Sequence, residues 1–138
     1  MALHIPDTTI AICFVLYGST TNIAAGEGTN AFVIPSDMNG ALLKAIVARL
    51  LSSTLGTGTQ NTELQVRKNK ASDGTEEDML SGVCSIDVGE RSSETADTPY
   101  VINPATANVS TGDAIFVDVD TIPDLTAPKG LAVVLTFE

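Results

Sequence analysis

The sequence predicts an all-β sandwich, and three observations point that way. Gly, Thr and Ser make up 38 of the 138 residues and collect between short apolar runs, so the chain divides into strand-sized pieces separated by turn chemistry. At the C-terminal end Leu131, Val133, Leu135 and Phe137 alternate with Ala132, Val134, Thr136 and Glu138, the period of two that gives a strand one core face. The composition, 43% hydrophobic and 17% charged, is that of one globular domain, and at this length about two-thirds of the unfolded surface can be buried.

The elements follow in chain order. TIAICFVLY at 9–17 reads as a buried strand. No Lys or Arg precedes it, Asp7 does, and no Ala-x-Ala site follows, so it lacks the pattern of a secretory signal. It is also about half the length that crosses a bilayer. A short strand is expected at 29–34. In GALLKAIVARLLSS at 40–53 two local rules disagree. Ala, Leu, Lys and Arg favour a helix that Ser36 or Asp37 would cap. The alternation of Leu43, Ala45, Val47, Arg49 and Leu51 with Leu42, Lys44, Ile46, Ala48 and Leu50 suits a strand buried on both sides.

Downstream, TELQVRK alternates Leu64 and Val66 with Glu63, Gln65 and Arg67. MLSGVCSIDV places Leu80, Gly82, Cys84, Ile86 and Val88 on one side and Ser81, Val83, Ser85 and Asp87 on the other. A further strand is expected at 99–102. In DAIFVDVD, Ile115, Val117 and Val119 share a face opposite Ala114, Phe116, Asp118 and Asp120. With the C-terminal strand this gives about eight strands. Turns are marked by Pro35-Ser36-Asp37, Asn39-Gly40, Asp73-Gly74, Pro104, Gly112-Asp113 and Pro128-Lys129-Gly130. No linker or repeat divides the chain, so the expected organisation is an arm over 1–7 and a single domain over 8–138.

Seventeen Asp and Glu against seven Lys and Arg leave a formal charge of −10, which sets long-range attraction against nucleic acid and anionic membranes as partners. Cys13 and Cys84 lie in apolar runs, outside any CxxC pair, and read as buried free thiols, with a disulfide between them as the alternative. The one histidine, His4, lies among the first residues, a poor place for a catalytic base. Asp118 and Asp120 fall on one strand face with Asp113 and Asp124 nearby, oxygen ligands of the kind that hold Ca²⁺. The run matches no cation-loop pattern, and the plain reading is a set of solvated acids. Asp73, Glu76, Glu77, Asp78, Asp87, Glu90, Glu94 and Asp97, against Arg91 alone, read as a solvated acidic loop and surface face, with attraction to a basic partner surface as the functional alternative. Gly26-Glu27-Gly28 and Gly56-Thr57-Gly58 lack the sequel of a phosphate loop and read as turns. Asn108-Val109-Ser110 fits a glycosylation acceptor. No cofactor and no catalytic set is expected.

Taken in order, FVIPSDMNG at 32–40, TELQVRKN at 62–69, DMLSGVCSIDVGE at 78–90, TADTPYVI at 95–102, VSTGDAIFVDVD at 109–120 and APKGLAVVLTFE at 127–138 resemble a domain of tailed-phage virion proteins. The resemblance covers roughly residues 30–138 and rests on turn and strand patterns, none of them a catalytic motif. It implies a jelly-roll β-sandwich of about eight antiparallel strands, with the ambiguous stretch at 40–53 a long strand. A lone module of this kind is similar to a non-enzymatic head-decoration, or cement, protein. Such a protein binds the major capsid protein on the outer surface of the virion shell, commonly as a homotrimer. The alternative is a receptor-binding or fibre-tip module for host glycans or surface protein. Outward apolar residues such as Phe116, Val134 and Val83 are candidates for contacts between subunits or for the core of the second sheet. In the arm, Leu3, His4, Ile5 and Pro6 are the candidate partner-binding residues, ordering on the capsid as an added strand.

Overall fold

The computed structural model describes residues 9–138; the boundary between arm and domain, with the four candidate arm residues, lies outside them. In chain order the strands are β1 (Ile10–Asn22), β2 (Phe32–Val33), β3 (Leu43–Leu50), β4 (Thr62–Asn69), β5 (Glu76–Asp78), β6 (Leu80–Gly82), β7 (Cys84–Ile86), β8 (Val101–Ile102), β9 (Ala114–Thr121) and β10 (Lys129–Phe137). Single 3-10 turns lie at Ser36–Met38 and Ser93–Thr95. Every strand pairing is antiparallel.

Two principal sheets apply their apolar faces to one core, the arrangement of a β-sandwich. The first has the order β1-β10-β3; the second has β2-β9-β4-β5, with β7 also pairing β4. A small third sheet joins β6 to β8. The first sheet contributes Ile12 and Phe14 of β1, Leu131, Val133, Leu135 and Phe137 of β10, and Ile46, Ala48 and Leu50 of β3. The second contributes Leu64 and Val66 of β4 and Ile115, Val117 and Val119 of β9. The alternating faces expected for β4, β9 and β10 are therefore the ones buried.

The stretch at 40–53 is a strand, and tertiary burial overrides its helical propensity. Its apolar alternation fits the register with β10, where Ile46 faces Leu135, Ala48 faces Val133 and Leu50 faces Leu131. The expectation of burial on both sides fails, because Val47 and Arg49 are exposed while Ile46, Ala48 and Leu50 are buried. Among the described residues β3 has a ladder partner only in β10, and the second sheet covers it on one face. A bulge between Leu43 and Ala45 lets Leu43 join the core as well.

β1 corrects the reading of a fully buried strand in the same way: Ile12 and Phe14 are buried, and Ala11, Cys13 and Val15 face outward. It also runs on through Asn22, past the expected end. The segment 79–88, expected as one strand, is split. β6 leaves the second sheet to pair β8, and β7 returns to pair β4. Where β6 has left, the side chain of Gln65 fills the ladder. Its Nε2 donates to the Leu80 carbonyl at 3.0 Å, and its Oε1 accepts from the Leu80 and Val66 amides, each at 3.0 Å. At Gly28 the chain approaches β9 so closely that a Cβ would collide with the Val117 carbonyl.

Candidate interaction surface

The acidic residues that looked most like a ligand set are mostly occupied in holding loops. Asp113 accepts from the Ala71 amide at 2.9 Å and the Ser110 amide at 2.8 Å. Asp124 accepts from the Thr59 amide, the Thr59 hydroxyl and the Gln60 amide, and the Thr59 amide first among these holds its carboxyl below the usual range. Asp118 accepts from the Gly28 amide at 2.7 Å and from Arg67. Asp120 is the exception. It is exposed, and partial desolvation first, then the charges of Asp118, Asp78 and Glu63, raise its carboxyl above the usual range. Among the described residues no group of three or more His, Cys, Asp or Glu side chains could hold a metal ion.

The acidic segment from Asp73 to Asp97 is likewise more engaged than a solvated loop. Asp73 accepts from the Thr75 amide and hydroxyl, Asp87 from the Asp97 amide, and Glu90 from the Thr95 hydroxyl. Glu76 pairs with Arg67, and Glu77 with Lys68 and Lys70. Arg67 is the hub of the second sheet's outer face. Its Nε donates to Asp118 Oδ2 at 2.9 Å and its NH1 to Glu76 at 2.8 Å. The guanidinium carbon lies 4.2 Å from the Phe116 ring centroid. Phe116 is thus covered by Arg67 on the outer face and lies outside the buried core. Lys68 is buried, its charge met by Glu77 and by the Thr106 and Asn108 carbonyls.

The outer face of the sheet β1-β10-β3 has the opposite character. Its register sets three rows across the sheet: Ala11, Thr136 and Ala45; Cys13, Val134 and Val47; Val15, Ala132 and Arg49. Val15 is 58% exposed and Val47 36%, and Cys13 is an exposed free thiol. Cys13 therefore departs from the reading as a buried thiol, because it occupies the outward phase of β1. Cys84 is buried as expected, and burial raises its thiol pKa. Val134 is placed outward as anticipated and is half-buried by its neighbours, whereas Val83 is half-buried at the break between β6 and β7.

Charge is divided between the two sheets. β1, β3 and β10 contain no Asp or Glu, while β4, β5 and β9 contain Glu63, Glu76, Glu77, Asp78, Asp118 and Asp120. Arg67, Lys68 and Lys70 form ion pairs. The other four cations have none among the described residues, and all four border the first sheet. Lys44 and Arg49 are on β3, Lys129 starts β10, and Arg91 lies where its carbonyl accepts from the Leu50 amide. Sequence reasoning missed this face as a unit. Each strand's outward phase was legible, but the face exists only once β1 and β3 are set against β10, which follows both by some 80 residues or more.

Surface clefts are shallow in chemistry. One of about 470 Å³ is lined by Ile10, Asp37, Met38, Asn39, Gly40, Ala41, Phe137 and Glu138, beside the start of the described chain. One of about 160 Å³ lies between β1 and the loop at Gly26–Asn30. No helix is long and apolar enough to cross a membrane among the described residues. Compared with protein-family models and with curated proteins, the chain matches none.

Proposed function

We propose that the chain is a non-enzymatic structural protein of a tailed-phage virion, a jelly-roll decoration protein that binds the outside of the assembled head as a trimer. Strand order supports the jelly-roll part of this reading, and the resemblance of roughly residues 30–138 supports the virion part. β1 pairs with β10 and β2 with β9, so the first half of the chain runs antiparallel against the second as a long ribbon. β10 then pairs β3 and β9 pairs β4, which is how such a ribbon closes when it is wound into two sheets. A complete jelly roll has another strand along β3. Here that place holds an isolated bridge from Arg49 to Ser92 and the turn at Ser93–Thr95, whose Ser93 hydroxyl accepts from the Ala48 amide at 2.9 Å.

The division of charge and the occupied carboxylates favour a binding role over a catalytic one. A decoration protein acts by mass action: it binds the assembled shell and not the free capsid subunit, so occupancy stabilises assembly. Repetition over the lattice makes a modest contact effective. In this reading the arm carries the capsid contact through Leu3, His4, Ile5 and Pro6. The test is co-sedimentation of the purified protein with expanded shells of the phage that encodes it. Binding should be saturable and should be lost on deleting residues 1–7, with the melting temperature unchanged. Unimpaired binding of the shortened chain contradicts the role of the arm, and no binding by the full chain contradicts the proposed function.

A further inference from the structure

We propose that the outer face of the sheet β1-β10-β3 is a subunit interface that packs against the acid-bearing surface of a second copy of this chain. The inference rests on the trimeric reading above and names the surface that would build it.

Three observations lead there. The face is mostly apolar and low: of its nine register positions Ala11, Cys13, Val15, Ala45, Val47, Ala132, Val134 and Thr136 are small or β-branched, and Arg49 on the β3 edge is the one long side chain, so another surface can approach to ordinary packing distance over most of it. Second, the strands that form it carry no carboxylate in a chain of charge −10. Copies meeting acid to acid would repel, and this face, which has carboxylates only at its margin in Glu138 after β10 and Glu94 beside Val47, is where a copy meets an acidic neighbour at lower cost. Third, Lys44, Arg49, Arg91 and Lys129 border it without an ion pair among the described residues. They supply the complement to Asp78 and Asp120, the exposed carboxylates of the second sheet that have neither an ion pair nor a side-chain hydrogen bond among the described residues.

A face of one character meeting a surface of another is a head-to-tail contact, which generates a ring when its rotation closes. Area points the same way. Three strands about 4.8 Å apart and seven paired residues rising about 3.3 Å each give a footprint of roughly 300 Å², short of the roughly 800 Å² per partner of a stable pair. In a ring each copy contributes both its face and its acidic surface, so every subunit is held twice. A second copy in a closed ring, where two contacts act together on each subunit, suits a face of this size better than an isolated face-to-face pair.

Cys13 reports on this directly, since it sits in the middle row while Cys84 is buried and serves as the unreactive reference. The experiment measures mass by sedimentation equilibrium and the rate of Cys13 modification by a maleimide across protein concentration. The variants are Val47→Asp and Arg49→Glu, both at exposed positions, with circular dichroism and melting as the check of folding. The expected result is a trimer in which Cys13 reacts about tenfold or more slowly than at dilution, with at least a tenfold weaker association in each folded variant. A trimer with fully reactive Cys13 and unaffected variants overturns this interface and leaves the trimeric reading standing. A monomer at every concentration overturns both. A monomer whose Cys13 becomes protected only when shells are added assigns the face to the capsid and overturns the second copy as its occupant. Should either variant fail to fold, the thiol protection of the wild-type chain decides the matter alone.

Discussion

Removing the Asp118 charge leaves the Arg67 guanidinium with Glu76 as its one anionic partner among the described residues, in a site where the Arg67 side chain is 12% exposed and Glu76 is 49% exposed. Burial of that charge costs free energy that Asp118 mainly offsets, and the Arg67 pKa is raised by the Asp118 hydrogen bond before any other favourable contribution. Asp118→Asn should therefore destabilise the fold by about 2 kcal/mol, between the value of a surface pair and that of a fully buried one. Urea unfolding measures this, and an unchanged midpoint would contradict it. Asp120 has the opposite sign. Its carboxyl is raised in the folded state, so the folded chain holds that proton more tightly, and the stability this adds is present below the unfolded pKa and lost as pH rises through the folded one. At neutral pH the charged form is a small liability. Asp120→Asn should stabilise at pH 7 by a few tenths of a kcal/mol, because solvent screens an exposed group. The gain should vanish in the acid range, where wild-type Asp120 is itself protonated. Melting curves of the two proteins against pH test the sign, and a gain that persisted in acid would refute the assignment.

At the scale of elements, β6 is held to β4 by a side chain where backbone pairing has lapsed. Gln65 satisfies the Leu80 amide and carbonyl and the Val66 amide, and Gln65→Leu removes these bonds while nearly conserving volume. The cost should be about 2 to 4 kcal/mol, since buried backbone groups are left without partners. Hydrogen exchange at the Leu80 amide should rise with it; unchanged exchange would show that the side chain does not support the strand. This departure was not legible in the alternation of Leu80, Gly82, Cys84 and Ile86, which reads as one strand because period two carries no information about which neighbour a strand pairs. β10 was legible throughout because it is central in its sheet, so Leu131, Val133, Leu135 and Phe137 are all fully buried. The strand at 43–50 needed more than its own residues. Its propensity is helical, and only the register against β10 and burial of Ile46, Ala48 and Leu50 decide the matter. Cys13 was misread for a related reason: an apolar run suggests burial on both faces, while β1 is the uncovered edge of a sheet that uses one phase of it.

For the whole molecule, the organising feature is segregation. One sheet carries acids and the ion-paired cations Arg67 and Lys68, and the strands of the other carry no carboxylate and form a mostly apolar outer face that includes Arg49. The net charge of −10 was legible at once; its distribution was not, because it depends on which strands share a sheet. A molecule divided in this way suits repeated, oriented association with copies of itself and with a lattice. The measurement that tests the account most directly is the number of copies of this polypeptide in purified virions, by quantitative mass spectrometry against the major capsid protein. The account predicts an abundance on the order of one copy per capsid subunit, as saturable occupancy of a repeating lattice requires. A few to a few tens of copies per particle would contradict decoration and indicate a fibre or receptor-binding role, and absence from the particle would contradict a virion role altogether.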